Sequence, residues 1–88
     1  MGSLAKLTHR FIETATGDEI IVMRIESGDF FDLSGTSIAA WRLIDGKRNR
    51  ADVVGALAHQ FHVDRPQLEA DIDQLLGQLK DSGLVTEG

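Results

Sequence analysis

Few residues in this chain could do covalent chemistry, and their spacing argues against it. There is no cysteine, which excludes thiol nucleophiles, thiolate zinc sites and disulfide scaffolds. Hydroxyl and imidazole groups stand at Ser3, Ser27, Ser34, Ser37 and Ser82 and at His9, His59 and His62. A hydrolytic site needs nucleophile, base and orienting group in one place. No Gly-x-Ser-x-Gly elbow occurs, and Ser34 stands where a helix cap is wanted. His59 and His62 share a helix face with Asp64 nearby, but a two-histidine metal site needs a third ligand. Polar histidines near a helix end are the ordinary reading, and no metal is expected. Glu69, Asp71 and Asp73 splay over more than one helix face at about 100° per residue, so they form no evident acid/base pair. Gly28 and Gly35 are isolated and build neither a P-loop nor a dinucleotide loop. No catalytic residue and no cofactor are expected, and the chain is not expected to be an enzyme.

The elements that position these side chains must fit into 88 residues. That length supports one compact domain, residues 1–88, whose core draws on nearly every apolar residue. Hydrophobic residues make up 42%, too dense and too periodic for disorder. No apolar run approaches the ~20 residues of a membrane span, and no secretory signal opens the chain; a cytoplasmic location and no membrane partner are expected. The net charge is −5. All of that imbalance lies after residue 50, where Arg65 and Lys80 stand against Asp52, Asp64, Glu69, Asp71, Asp73, Asp81 and Glu87. Nucleic-acid binders need a basic face to displace phosphate counterions, so no nucleic-acid partner is expected.

Residues 1–8 show no pattern and read as a loose arm. From His9 to Leu33 the period is two. Thr16-Gly17-Asp18 and Ser27-Gly28-Asp29 are turn chemistry. They separate a first strand-like stretch, a β-branched run from Glu19 to Ile25 with Ile21, Met23 and Ile25 on one face, and a short strand from Phe30 to Leu33. Three runs and two tight turns predict an antiparallel meander. After Leu33 the period becomes about 3.6. Ser34 caps a first helix with Ile38, Trp41 and Ile44 on one face, ended by Gly46. Asn49 and Asp52 form a capping pair for a second helix, with Val53, Val54, Leu57, Ala58 and Phe61 as its buried stripe. Asp64 and Gln67 cap a third, with Pro66 in its first turn. Its stripe is Leu68, Ile72, Leu75, Leu76 and Leu79, closed by Gly83 with Leu84 packing back. The fold class is α+β: a three-stranded antiparallel β-meander followed by three α-helices, similar to a winged helix-turn-helix. Ile38, Trp41, Phe61, Ile72 and Leu76 are expected to be buried.

Several ordered segments carry a resemblance. They are Phe31-Asp32-Leu33-Ser34-Gly35-Thr36, Ile38, Trp41, Leu43-Ile44-Asp45-Gly46, Asp52-Val53-Val54, Leu57, Phe61, Asp71-Ile72, Leu75-Leu76, Leu79 and Gly83-Leu84-Val85. Together, from Asp29 to Val85, they resemble the PqqD-like domain, also called the RiPP recognition element. That resemblance implies a non-catalytic domain that binds the leader segment of a ribosomally made precursor peptide. It implies a second partner too, a maturation enzyme such as a leader peptidase, a cyclase or a radical enzyme. The family often has Asn at the position of Ser34. PqqD proper tends to carry Tyr-Pro-Glu-Gly and Cys-Asp-Gly where this chain has Arg24-Ile25-Glu26-Ser27-Gly28 and Ile44-Asp45-Gly46. Trp41 and the short third strand look more like the discrete recognition proteins of lasso-peptide clusters. The alternatives are a PqqD-type peptide chaperone in pyrroloquinoline quinone biosynthesis and a winged-helix DNA-binding domain. Against the latter, the third helix carries Arg65 and Lys80 against Glu69, Asp71, Asp73 and Asp81, and phosphates would repel it.

Physical chemistry supplies a binding mode for the peptide reading. The last strand of a meander is an edge, and an extended peptide can add to it. The expected peptide-binding residues are therefore Asp29, Phe30, Phe31, Asp32 and Leu33. Phe31 and Leu33 point to the core, leaving Phe30 exposed beside Asp32. On the third helix, Asp71, Gln74 and Gln78 form a polar flank beside Leu75, and these four are the expected opposite wall.

Overall fold

The computed structural model describes residues 2–88. Its elements run β1 (Leu4–Lys6), a 3-10 turn (Thr8–Arg10), β2 (Phe11–Thr16), β3 (Glu19–Arg24), β4 (Phe30–Ser34), α1 (Thr36–Leu43), α2 (Arg50–Gln60), α3 (Arg65–Asp81) and β5 (Val85–Glu87). The antiparallel meander is present in the order β2-β3-β4, followed by three helices. Gly17 and Asp18 turn β2 into β3, and residues 25–29 lead β3 into β4.

The amino-terminal segment departs from expectation. Met1 lies outside the described residues, but the rest of residues 1–8 is no loose arm. Strand β1 pairs antiparallel with β5, Leu4 opposite Glu87 and Lys6 opposite Val85. Leu4 is fully buried. Its N–H donates to the Arg48 carbonyl and its own carbonyl accepts from the Gly46 N–H, each at 2.7 Å. The loop that receives β1 is shaped by Asp45, whose carboxylate accepts from the backbone N–H groups of Lys47 and Arg48 and from the Arg48 guanidinium. These bonds, the Lys47 N–H foremost, hold the Asp45 carboxyl below the ordinary carboxylate range.

One core unites both sheets and all three helices. It includes Leu4, Phe11, Ile20, Val22, Leu33, Trp41, Ile44, Val53, Leu57, Ile72, Leu76, Leu79 and Leu84. Ile38 and Phe61, expected inside, are only partly buried against it. On β3 the buried face is Ile20 and Val22, while Met23 of the alternate face is exposed, as is Ile25 just beyond the strand. Trp41 lies at the centre, fully buried. Its indole N–H donates to Glu13 Oε1 at 2.9 Å, and its ring meets Phe11 edge-on at 5.3 Å. Lys6 Nζ sits 4.3 Å from the same ring centroid, a cation–π contact.

Two of the expected helix caps do not form. Ser34 belongs to β4, opposite Glu19. The N-cap of α1 is Gly35, at φ +58°, with no side-chain cap bond. The strand-to-helix corner needs this left-handed geometry, which glycine adopts without a Cβ penalty. Asp64 makes no side-chain cap bond either. Nor does Gly46 stop α1. That helix ends at Leu43 with Ile44 as C-cap, and Gly46 lies beyond it, tied to Leu4. The reciprocal Asn49–Asp52 capping box of α2 does form. At the end of α3, Leu84 N–H reaches the Leu79 carbonyl and Gly83 N–H the Lys80 carbonyl, each at 3.0 Å. That is the two-bond Schellman pattern.

Arg50 ties α2 to α3, with its Nη2 3.0 Å from Asp73 Oδ2 and 3.4 Å from Glu69 Oε1. The hydrogen bond from Arg50 holds the Asp73 carboxyl below the ordinary carboxylate range. A depressed pKa stabilises the fold above the unfolded carboxylate's pKa, and the benefit fades as pH falls through the folded value. Asp73→Asn is therefore expected to lower the urea midpoint at pH 7, with the difference from the parent shrinking below about pH 4. A gap that stays constant down to pH 2 would show that the ion pair is not its source. No described helix is long and apolar enough to cross a membrane.

Candidate functional site

Backbone chemistry defines the open edge of the sheet. Strand β4 pairs with β3 on one side, and among the described residues no strand follows it on the other. The Arg24 N–H donates to the Asp29 carbonyl at 2.7 Å. Hydrogen-bonded and non-bonded pairs alternate along an antiparallel ladder. The register opposes Val22 to Phe31 and Ile20 to Leu33, so Asp29, Phe31 and Leu33 spend their backbone groups on β3. Phe30, Asp32 and Ser34 turn theirs outward.

The expected β4 residues thus have different parts. Leu33 is 3% exposed and Phe31 is half-buried, both on the core face. Phe30 is 68% exposed, and Asp32 is exposed beside it. Asp29 precedes the strand and closes the turn. Its carboxylate accepts from Ser27 Oγ at 2.9 Å, and its N–H donates back to that oxygen at 3.3 Å.

A cleft of about 350 Å³ opens where β4 runs into α1. Asp71, Ile72, Gln74, Leu75 and Gln78 of α3 line it together with Ser34, Thr36 and Ser37. All four residues expected on the helical wall are brought to this one place. Leu75 and Ile72 are the buried floor, and Asp71, Gln74 and Gln78 are exposed around it. Gln67 Nε2 donates to Asp71 Oδ1 at 2.9 Å, one turn earlier on the same helix.

Sequence reasoning does not reach Ser34, Thr36 and Ser37 as lining residues, because at a helix start hydroxyl residues read first as caps. The cluster of hydroxyls at the strand-to-helix junction was the available signal. Such a cleft offers an apolar floor, hydroxyl and amide partners, one carboxylate and, at its edge, unpaired backbone groups. Those are the requirements of an extended peptide. Among the described residues no three His, Asp or Glu side chains converge as metal ligands.

Solved structures with this arrangement are similar. TbiB1 in complex with the TbiA(beta) leader peptide superposes with a TM-score of 0.77 at 24% identity, over 91% of this chain and 93% of that one. Lasso peptide synthetase B1 complexed with the leader peptide gives 0.79 at 21% identity, over 96% and 98%. The heterocyclase TruD gives 0.65 at 20% identity, over 100% of this chain but 12% of its own. At these identities the likeness is one of fold. No curated protein sequence matches significantly. The family model described as coenzyme PQQ synthesis protein D (PqqD) matches residues 19–85. That match runs from the start of β3, through the cleft and all three helices, to the first residue of β5, and the chain therefore belongs to the PqqD family.

Proposed function

We propose that this protein binds the leader segment of a ribosomally synthesised precursor peptide as an added strand on β4 and presents it to a maturation enzyme. The observation that carries this reading is the open β4 edge beside a cleft walled by α3. The outward backbone groups of Phe30, Asp32 and Ser34 supply affinity, and the cleft supplies choice. Two similar structures are leader-peptide complexes, which supports a peptide ligand. The same fold occupying a small part of a heterocyclase supports delivery to an enzyme, with lasso-peptide biosynthesis favoured. The protein itself makes and breaks no bond in this reading. The PqqD family model favours a second reading, a peptide chaperone in pyrroloquinoline quinone biosynthesis. The leader that binds would separate the two.

Amide chemical-shift mapping with synthetic leader segments of candidate precursor peptides is the test. Shifts are expected along Phe30–Ser34 and on α3 around Asp71–Gln78. Phe30→Ala and Asp71→Ala should each weaken binding about tenfold, or 1–2 kcal/mol, with the fold intact. The peptide's mass should stay unchanged over hours. Perturbations confined to α2, with neither substitution weakening binding, would place the groove elsewhere. Cleavage or modification abolished by a point substitution would make the protein an enzyme.

A further inference from the structure

The solvent face of the meander is sorted by chemistry. Cross-strand register stacks Ile12, Met23 and Phe30 in one row and Thr14, Ile21 and Asp32 in the next. The first row is open to water, at 51%, 38% and 68% exposure. Glu19 stands opposite Ser34, one diagonal step from Asp32. Of the outward positions 12, 14, 16, 19, 21, 23, 30, 32 and 34, the charged ones are Glu19 and Asp32, both acidic. Their carboxyls are neighbours across the β3–β4 ladder. Asp32, by its hydrogen-bonding proximity first and its charge second, raises the Glu19 carboxyl above its ordinary pKa. Like charges on neighbouring strands oppose folding. A cation laid over both would turn repulsion into attraction.

The open edge determines where that cation comes from. A strand added to β4 places one side chain directly opposite Asp32, with Cβ atoms about 5 Å apart. Two residues away, on the same face, another falls opposite Phe30. The residue between them points to the other side of the sheet, toward the cleft that α3 walls. We propose, building on the leader-binding reading above, that β4 selects segments with Lys or Arg opposite Asp32 and an apolar residue two positions away opposite Phe30. Glu19, Asp32 and Phe30 are then specificity-determining residues. The order of the pair reports the direction of the bound strand: basic-x-apolar for antiparallel addition, apolar-x-basic for parallel.

The test is selection of random twelve-residue peptides on the immobilised full-length protein, followed by titration of the enriched peptides. Enriched sequences should carry Lys or Arg and an apolar residue two apart. Replacing that base by Glu should weaken binding by more than about tenfold, and added salt should weaken the basic peptide. The Glu19→Lys/Asp32→Lys double variant should prefer the Glu-substituted peptide, and Glu19→Gln/Asp32→Asn should bind the two alike. Both residues are exposed, so the fold should hold, which the amide spectrum checks. Peptides that shift the Phe30–Ser34 amides yet ignore the charge reversal would overturn this specificity and leave leader binding standing. Enriched peptides whose shifts lie away from β4 and α3 would remove both.

Discussion

Trp41→Ala is expected to destabilise the fold by about 3–5 kcal/mol, most of what so small a domain has to lose. The side chain is fully buried, and three separate parts of the chain converge on it. From α1 it reaches Phe11 and Glu13 on β2 and Lys6 on β1. Truncation leaves a cavity that these strands cannot fill without moving. The Glu13 carboxylate is exposed and would find water once the indole is gone, so lost packing dominates over the lost indole donor. Trp41→Phe separates the two contributions. It keeps the edge-on ring contact and most of the volume, and removes the N–H bond to a charged group, worth about 1.5–3 kcal/mol. Urea unfolding followed by circular dichroism gives both values without relying on tryptophan fluorescence. A Trp41→Ala variant with the parent's midpoint would show that α1 does not pack on the sheet through this residue.

Leu4→Ala should cost about 2–5 kcal/mol, a large effect for the fourth residue of a chain. If residues 1–8 were a loose arm, the same change would cost nothing. Leu4 is instead fully buried, as is Leu84. The β1–β5 pair, continued by the Leu7 N–H donating to the Leu84 carbonyl at 2.8 Å, ties the amino terminus to the chain leaving α3. Ala5→Gly removes less side chain from the same strand and serves as the comparison. Hydrogen exchange provides an independent measurement, since the amides of Leu4 and Leu7 should be protected well beyond that of the exposed Thr8. Unprotected amides together with a silent Leu4→Ala would detach β1 from the fold. The consequence for function is indirect. β5 follows α3 directly, so β1 helps hold the helix that walls the cleft.

The features legible in the sequence are those whose partners are close in the chain. The Asn49–Asp52 box closes over three residues, and the Gly83–Leu84 stop reaches back five to Leu79. Stripe periodicity is equally local, and it places Leu68, Ile72, Leu75, Leu76 and Leu79 inside. The same locality locates the wall residues, because Asp71, Gln74 and Gln78 must flank a stripe already known. The edge position of β4 followed from its being the last strand of a meander. Where two local readings competed, tertiary structure decided. Ser34 suits a cap as well as a strand end, and pairing with Glu19 gave it to β4. Both faces of β3 are apolar, so a period of two could not say that Ile20 and Val22 would face the helices while Met23 stayed in water. Three residues of β1 have no period at all, and their partner lies some eighty residues away. The cleft joins hydroxyls near residue 35 to a helix near residue 75, a distance that only the closed core spans. Local bonding and periodicity are written into neighbouring residues. Which faces meet is settled by the burial of the whole chain at once, and the cleft lies where two such faces leave a gap.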